Sequence, residues 1–274
     1  MNLTIELDQL RTKYKLSDDQ VSALKENRKW ADKLNNGFQP LMIKTNEPAL
    51  VCSDWHIPFQ DRGLVKQMLG VAKKYKIKQL IIPGDFWDCD GYKNTEKFVN
   101  LTYMETFQDE KVEVRNQLEQ LTNYFGDKIY FCRGNHEKRW LKFNKGMVGI
   151  DELFAILRSP VNYHVTLDDY IVLYQNGVKW YICHPDNYSP VSLSIASKIS
   201  DKFQCNVFMA HGHIMSQGFD RTGQYEIVDG GGMFDSDQIE YLRRTTTFPS
   251  VRSGFYVLKD GISHRYLGKG VSRP

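Results

Sequence analysis

From Glu47 onward, short apolar runs alternate with longer amphipathic segments, and this alternation limits the fold more than any other feature of the chain. The run ALVCSDWH (49–56) is typical of a buried strand that ends in polar residues. The runs KQLIIPGDFWD (78–88) and KIYFCRGNHE (128–137) repeat this pattern. The segment between the first two is typical of a helix with one apolar face, formed by Leu64, Val65, Met68, Leu69 and Ala72. Such alternation predicts a largely parallel sheet covered by helices, with ligands bound beyond the carboxyl ends of the strands.

Two further kinds of segment complete the predicted fold. A helix is expected at about 103–125, where Val114, Leu118 and Leu121 share a face and Gly126 caps the end. After about residue 165 the pattern changes to hairpins, because Asn176-Gly177 and Asp260-Gly261 each separate two strand-like runs. A helix near 191–203 and a strand at 205–214 lie between these hairpins. This half of the chain predicts a second, mostly antiparallel sheet packed on the first.

Residues 1–46 form a predicted helical N-terminal extension, and residues 47–274 form the main domain. Within the extension, Ser17 and Gln20 make a capping-box pattern at the start of the second of two helices. A packing or oligomerisation arm and a nucleic-acid-binding helix-turn-helix are the two interpretations of residues 1–36. The second interpretation lacks a recognisable recognition helix, so the first is favoured. An oligomer is compatible with the sequence.

Composition excludes several classes of protein. Of the 274 residues, 41% are hydrophobic and 25% are charged, as in an ordinary globular chain. No apolar run approaches the roughly 18 residues that a membrane span needs, and the N-terminus lacks the order of a signal peptide, so we expect a cytoplasmic protein without a membrane partner. Five cysteines without a CxxC pair argue against disulfides and cysteine zinc sites. The net charge of +3 neither requires nor excludes a nucleic-acid partner.

The strand-like runs share a second property, since residue types that bind metals follow each of them. Two residues that are two apart in extended chain point to the same side, so Asp54 with His56, and His211 with His213, can converge on one ion. Five of the seven histidines lie at strand ends of this kind, which five unrelated core histidines would not explain. The metal-binding residue types at these strand ends are Asp54, His56, Asp85, Asn135, His136, His184, His211 and His213. Carboxylate, amide and imidazole ligands suit manganese, iron or zinc, and manganese is favoured.

These motifs resemble those of the calcineurin-like metallophosphoesterase superfamily over about residues 47–270. They are DxH (Asp54, His56), GDxxD (Gly84 to Asp88), GNHE (Gly134 to Glu137), a lone His184 and a shortened GHxH ending in His213. The resemblance implies an α/β fold, a four-layer αββα double-sheet sandwich, with two divalent metal ions at the strand ends. One ion would take Asp54, His56, Asp85 and His213. The other would take Asp85, Asn135, His184 and His211, with Asp85 bridging.

The activity that the resemblance implies is hydrolysis of a phosphomonoester or phosphodiester by attack of a metal-bridging hydroxide. His136 follows the ligand Asn135 without being assigned to a metal, so it is free to protonate the leaving oxygen as general acid. Asp88 would orient His136, as the second carboxylate of this motif does in relatives. Gly134 would let the backbone turn close to the metals. The expected partner is a phosphoester substrate, with a nucleotide or nucleic acid as one class.

The sequence departs from the protein phosphatases of the superfamily, which have an arginine after GDxxD to bind phosphate. Here Asp88 is followed by Cys89-Asp90-Gly91. Arg133 or Arg139 would have to supply this phosphate contact, although Arg133 can equally pair with a nearby acid. Trp87, Tyr92 and Trp140 flank the motifs and either stack on a base or pack in the core. SDWHIPFQD and GNHEKRW more closely resemble bacterial and phage-encoded phosphoesterases.

Two alternative functions remain open at this point. The repair-nuclease branch of the superfamily shares GDxxD and GNH motifs, so a DNA or RNA nuclease is the first alternative. The second is a catalytically silent scaffold with the same fold, against which the complete ligand set argues. The absence of a GxSxG motif disfavours a serine hydrolase. GGGMF (230–234) is interpreted as a tight turn at a sheet edge.

Overall fold

A computed structural model describes residues 17–18, 41–89, 107–143, 163–166, 168–239 and 251–270. The helices are α1 (Arg62–Tyr75), α2 (Phe107–Phe125), α3 (Asn135–Phe143) and α4 (Ser194–Phe203). The strands are β1 (Leu41–Thr45), β2 (Ala49–Val51), β3 (Gln79–Pro83), β4 (Ile129–Cys132), β5 (His164–Val165), β6 (Tyr170–Gln175), β7 (Val178–Cys183), β8 (Asn206–Met209), β9 (Ser216–Phe219), β10 (Glu226–Asp229), β11 (Arg252–Lys259) and β12 (Ile262–Gly270). The helices predicted within residues 1–36 lie outside the described residues, apart from 17–18.

The described strands form two six-stranded sheets. One has the order β1-β6-β7-β8-β10-β9 and is called the β1 sheet. The other has the order β12-β11-β2-β3-β4-β5 and is called the β2 sheet. In the β2 sheet, β2, β3, β4 and β5 run parallel, so their carboxyl ends lie at one edge. In the β1 sheet, β7, β8 and β10 are also parallel to one another.

The helices and sheets form four layers, and an apolar core lies between each neighbouring pair of layers, which confirms the predicted αββα sandwich. The helices α1 and α2 cover the outer face of the β2 sheet through residues such as Leu64, Val114 and Leu118. The two sheets meet through buried side chains that include Val51 and Ile81 from one sheet and Ile171, Leu173 and Ile182 from the other. Ile195 and Ala196 of α4 cover the outer face of the β1 sheet at Val207, Met209 and Ile227.

The predicted apolar face of α1 is confirmed, and local signals explain where this helix begins and ends. The Asp61 carboxylate accepts a hydrogen bond from the Leu64 backbone N–H (3.0 Å) and caps the N-terminus. Leu64, Val65, Met68 and Ala72 are buried. Lys76 adopts a left-handed conformation and ends the helix. Because α1 joins β2 to β3, its packing fixes the parallel register of these two strands and the position of the loops that follow them.

Both predicted hairpins form, but the expected antiparallel sheet does not. Asn176 (φ 49°) and Gly177 (φ 82°) connect β6 to β7, and Asp260 (φ 54°) and Gly261 (φ 79°) connect β11 to β12. The second hairpin pairs with β2 and therefore extends the parallel sheet. In the β1 sheet, β1 with β6, β7 with β8, and β8 with β10 are parallel pairs, so the expectation of a mostly antiparallel sheet was wrong. Long connections through α4 and β9 return the chain in the parallel direction.

The strand β1 lies at the edge of its sheet, where it pairs with β6 from Leu41 opposite Ile171 to Thr45 opposite Gln175. The sequence assigned these five residues to the N-terminal extension. The sheet thus starts before the predicted boundary at residue 46, while the division into extension and main domain stays a prediction. None of the helices in the described ranges is long and apolar enough to cross a membrane.

Candidate metal centre

Asp54 and His56 lie in the loop after β2. Their backbone N–H groups donate to the carbonyl oxygens of Gly84 (3.2 Å) and Asp85 (2.9 Å), which follow β3. Asp54 (φ 52°) and His56 (φ 48°) adopt left-handed backbone conformations, which cost free energy in residues other than glycine. Both side chains are fully buried. The loop therefore turns sharply and brings Nε2 of His56 within 3.9 Å of the Asp85 carboxylate.

Asp85 lies between the histidines of several loops. Its carboxylate is 3.9 Å from Nε2 of His56, 3.7 Å from Nε2 of His136 and 3.3 Å from Nε2 of His184. The backbone N–H of His136 donates to Asp85 Oδ1 (2.8 Å). A Cβ atom on Gly134 would lie 2.1 Å from the same oxygen, so the chain needs glycine there. The special position of Gly134 thus has a direct cause, the close approach of the Asp85 carboxylate.

Asn135 and His184 connect the two sheets at this edge. Asn135 is the first residue of α3, and its Oδ1 lies 2.8 Å from Nε2 of His184, which follows β7. Nδ1 of His184 lies 3.0 Å from the Pro83 carbonyl oxygen. If Nδ1 donates to that carbonyl, Nε2 keeps its lone pair for a metal, which is the usual arrangement of a metal-binding histidine. The amide and imidazole thus face the same space from opposite sheets.

His211 and His213 follow β8 in the β1 sheet. The His211 backbone N–H donates to the Asp54 carboxylate (3.2 Å), and Nε2 of His213 lies 3.0 Å from Asp54 Oδ1. Nε2 of His213 is also 3.4 Å from Nε2 of His56. Both residues have positive φ angles, 74° and 57°. The structure thus brings together all seven residues that the sequence predicts as ligands, while their role as ligands stays a prediction.

Among the residues that the structure describes, three overlapping groups of side chains have ligand atoms within 4.8 Å of one another. The first group is Asp54, His56 and His213, and the second is Asp85, His184 and His211. Each lies within one of the two ligand sets that the resemblance implies. A third group joins His56 and Asp85 to His136, which the sequence did not assign to a metal. The described cluster is therefore one continuous site in which Asp85 and His56 each belong to two groups.

The electrostatics of this cluster fit bound cations. Burial by itself would raise the pKa of Asp54 and of Asp85, but the surrounding imidazoles lower both below the ordinary value. Burial opposes protonation of His184, yet Asp85 outweighs it and raises the pKa of His184 to about 9. Buried carboxylates at this density need positive charge beside them. The carboxylate, amide and imidazole donors suit manganese, iron or zinc.

His136 is held on two sides by groups outside the predicted ligand set. Its Nδ1 lies 2.9 Å from Asp88 Oδ1 and 2.8 Å from the Asp88 carbonyl oxygen, while the orienting role of Asp88 stays a prediction. The same carboxylate oxygen is 2.8 Å from Nδ1 of His56, so Asp88 contacts both imidazoles. The two terminal nitrogens of Arg139 each lie 2.7 Å from a ring nitrogen of His136. Burial and the Arg139 cation lower the pKa of His136 to about 3.

Arg133 pairs with an acid. Its Nε lies 2.5 Å from Asp169 Oδ1, and the Lys138 ammonium contacts the other oxygen of Asp169 at 2.8 Å. Lys138 also binds Asp186 at 2.8 Å. Of the two interpretations of Arg133, the ion pair with Asp169 is the one that the structure contains. A catalytic role for Arg133 stays an untested prediction.

The sequence pattern did not identify the role of Glu137. This carboxylate accepts hydrogen bonds from the backbone N–H groups of Asp85 (3.1 Å), Trp87 (3.0 Å) and Gly134 (2.9 Å). It is buried, and burial together with the nearby Asp85 raises the pKa of Glu137 to about 7. The motif GNHE includes Glu137, but no sequence pattern shows which backbone groups the Glu137 carboxylate binds.

Asp229 is a second residue whose role the pattern missed. Its Oδ1 accepts from the backbone N–H of Ile214 (3.3 Å), and a Cβ atom on Gly212 would lie 1.9 Å from its Oδ2. The GGGMF segment follows directly. The sequence suggested a tight turn at a sheet edge here, and the structure does not contain one. The Met233 backbone N–H instead donates to the Asp54 carbonyl (3.0 Å), and the Phe234 ring contacts His213 with 4.7 Å between ring centroids. This segment thus packs against the loops that carry Asp54 and His213.

The fold and the site geometry agree with a comparison by sequence. The profile of calcineurin-like phosphoesterases matches residues 48–260. The chain belongs to the calcineurin-like phosphoesterase family. All seven predicted ligand residues of this calcineurin-like phosphoesterase lie within the matched range. No curated protein matches this chain.

Solved structures of similar fold differ strongly from this chain in sequence. The phosphoesterase YfcE from E. coli is 12% identical, with 78% of this chain and 88% of that chain covered and a TM-score of 0.43. Vps29 from Entamoeba histolytica, solved with zinc, is 11% identical, with 80% and 97% covered and a TM-score of 0.40. A hypothetical protein from Pyrococcus horikoshii is 11% identical, with 82% and 89% covered and a TM-score of 0.47.

Proposed function

We propose that this calcineurin-like phosphoesterase hydrolyses phosphomonoester or phosphodiester bonds with two divalent metal ions, and that His136 is its general acid. The observation that carries the proposal is the convergence of buried carboxylates and imidazoles from both sheets around Asp85. Asp54, His56, Asp85 and His213 would hold one ion, and Asp85, Asn135, His184 and His211 the other. Manganese is the favoured metal, and iron or zinc would also suit these donors.

The chemistry explains why such a cluster suits this substrate. A phosphoester is anionic and repels hydroxide, and a pair of bound divalent ions would neutralise its charge and lower the pKa of a water for in-line attack. The protein residues hold these ions and exclude bulk water, since Asp54, His56 and Asp85 are buried. Glu137 fixes the backbone on both sides of Asp85 through its three accepted hydrogen bonds.

His136 is oriented for proton transfer at Nε2. Its Nδ1 faces Asp88, whereas its Nε2 lies 3.7 Å from the Asp85 carboxylate, on the side of the cluster, and 2.7 Å from a terminal nitrogen of Arg139. A proton on Nε2 would pass to the oxygen of the leaving group. We assign the phosphate contact to Arg139, because its guanidinium lies against His136 while that of Arg133 is bound to Asp169. An anionic phosphoester beside Arg139 would offset the charge of this cation, which is, after burial, the largest cause that lowers the pKa of His136.

The first test is an activity panel with matched histidine variants. The purified protein with added Mn²⁺ is offered a phosphomonoester, a phosphodiester, a cyclic nucleotide, and single- and double-stranded DNA. His136→Ala should reduce kcat by about 10²–10⁴-fold with metal content unchanged, as expected on loss of a general acid. Asp85→Asn should lower Mn²⁺ affinity. His264→Ala is the control, because His264 is exposed on β12 and should change neither quantity.

The outcomes separate the alternatives. Cleavage of DNA without cleavage of small phosphoesters would favour the nuclease, whereas wild-type protein that binds no Mn²⁺ and cleaves none of the substrates would favour the silent scaffold. An equal loss in His136→Ala and His264→Ala would refute the general-acid role. The cytoplasmic location, the oligomeric state and a nucleic-acid partner expected from the sequence stay predictions.

A further inference from the structure

Of the three aromatic residues that the sequence offered for stacking on a substrate, the two that the structure describes do not carry that role. Trp87 and Trp140 are 2% and 5% exposed and belong to the core beneath α1 and α2, and Tyr92 lies outside the described residues. A different aromatic residue lies beside the candidate metal centre. Tyr188 is 41% exposed, and its ring centroid is 6.2 Å from that of His211 at an interplanar angle of 88°. No sequence pattern marks Tyr188, because it lies four residues after His184 in an irregular loop.

The position of Tyr188 relates it directly to the site. His211, which it contacts edge to face, lies 5.2 Å from His184 between ring centroids and shares a possible metal group with Asp85. A phosphoryl group bound at this cluster would place the rest of its molecule along the rim. Tyr188 presents aromatic surface at that rim, and stacking on aromatic surface is how proteins bind planar groups without base-specific hydrogen bonds.

The loop that carries Tyr188 is anchored on both sides. Before it, the exposed carboxylate of Asp186 binds the Lys138 ammonium of α3 at 2.8 Å. After it, the hydroxyl of Ser192 donates to the hydroxyl of Ser216 in β9 at 2.5 Å. Between them, the Ser189 hydroxyl accepts from the Val191 backbone N–H at 3.1 Å. Because these contacts restrict the loop, little conformational entropy is lost when a ligand packs on the ring.

A tyrosine with a purely structural role is an alternative, and the chain offers comparisons. Tyr256, which packs between the sheets, is fully buried. Tyr75 at the end of α1 is 53% exposed, which shows that exposure alone does not mark a binding residue. Tyr188 differs from both because it is exposed and contacts a histidine of the candidate metal centre.

We propose that Tyr188 is a specificity-determining residue on which the planar aromatic part of the substrate's leaving group stacks. The proposal rests on the proposed phosphoesterase function and adds the class of substrate, a phosphoester of an aromatic molecule such as a nucleoside. It assigns no proton transfer and no metal contact to Tyr188.

The test compares adenosine 5′-monophosphate with ribose 5-phosphate, which have the same leaving oxygen and differ only in the base. In Tyr188→Ala, kcat/KM for the nucleotide should fall by about 5- to 150-fold, the range for loss of one stacked base, and kcat/KM for ribose 5-phosphate should not change. Tyr188→Phe keeps the ring and should behave as wild type. Tyr75→Ala is the control and should change neither substrate.

A binding measurement makes the result independent of turnover. Calorimetric titration of both compounds into the His136→Ala protein with Mn²⁺ should show tighter binding of the nucleotide, and the added Tyr188→Ala change should remove that difference. Equal effects of Tyr188→Ala on both compounds, or none on either, would overturn the inference. If the wild type hydrolyses neither compound, the proposed function fails for these substrates, and the titration alone decides the role of Tyr188.

Discussion

At the scale of single residues, Glu137 shows how one side chain can fix the geometry of a site without entering it. Its carboxylate joins the backbone before α3 to the backbone after β3, so the loops with Asp85 and Asn135 are held at a fixed separation. The three backbone N–H groups that donate to the Glu137 carboxylate are buried, and they would lose this partner if Glu137 were replaced by alanine. A buried donor without a partner costs about 1–3 kcal/mol.

Glu137→Ala should therefore lower the free energy of unfolding by about 3–5 kcal/mol. Glu137→Gln should lower it less, because the amide keeps one accepting oxygen. Glu119→Ala is the matched control, since Glu119 forms an exposed i,i+4 pair with Arg115 worth about 0.3–0.5 kcal/mol. Urea unfolding of the metal-free proteins measures all three. Equal midpoints for Glu137→Ala and Glu119→Ala would contradict the assigned role.

At the scale of helices and strands, α1 was the easiest element to predict, because each of its signals is local. Its cap, its apolar face and its end all lie within 16 residues, Asp61 to Lys76. Gly70 opposes helix formation in the interior of α1, and it is exposed and would have no atom within 4 Å of an added Cβ. Glycine in a helix interior costs about 0.5–1 kcal/mol relative to alanine.

Gly70→Ala should thus raise the free energy of unfolding by about 0.5–1 kcal/mol without a change in activity. Gly212→Ala is the contrasting variant, because its Cβ would lie 1.9 Å from an Asp229 oxygen in the loop between His211 and His213. Denaturant unfolding measures the free energy of unfolding of both variants, and Mn²⁺ titration measures their metal affinity. A destabilised Gly70→Ala protein would show that α1 has a neighbour on its exposed face.

The sequence predicted those features that depend on neighbours in the chain. Strand ends with Asp54, Asp85 and His184 were visible because each motif is a few residues long. The destination of the hairpin at Asp260-Gly261 was not, because a turn fixes the pairing of its own two strands and leaves open which sheet they join. The burial of Trp87, the three donors to Glu137 and the contact of Tyr188 with His211 also depend on residues far away in the chain.

At the scale of the whole molecule, the candidate metal centre lies across the seam between the two sheets. Asp54, His56, Asp85 and Asn135 follow strands of the β2 sheet, and His184, His211 and His213 follow strands of the β1 sheet. Ions bound by ligands from both sheets would link the two halves of the sandwich. A ligand that binds only the folded chain stabilises it in proportion to the logarithm of its concentration.

Saturating Mn²⁺ should therefore raise the thermal unfolding midpoint. At a concentration of about 100 times Kd the gain is about 2.7 kcal/mol, or about 5–10 °C for a domain of this size. Differential scanning calorimetry of metal-free protein, with and without Mn²⁺, measures the shift. Asp85→Asn should lose most of it while His264→Ala keeps it. An unchanged midpoint in the wild type would argue against metal binding across the sheets.

The left-handed backbone of Asp54, His56, Asp85, His211 and His213 has a consequence for how this chain can change over time. Each conformation costs about 1 kcal/mol or more in a residue with a side chain, and glycine or asparagine would adopt it with less cost. A lineage no longer selected for metal binding would gain stability by losing these side chains. In such a lineage, folding stability alone would favour the erosion of the site.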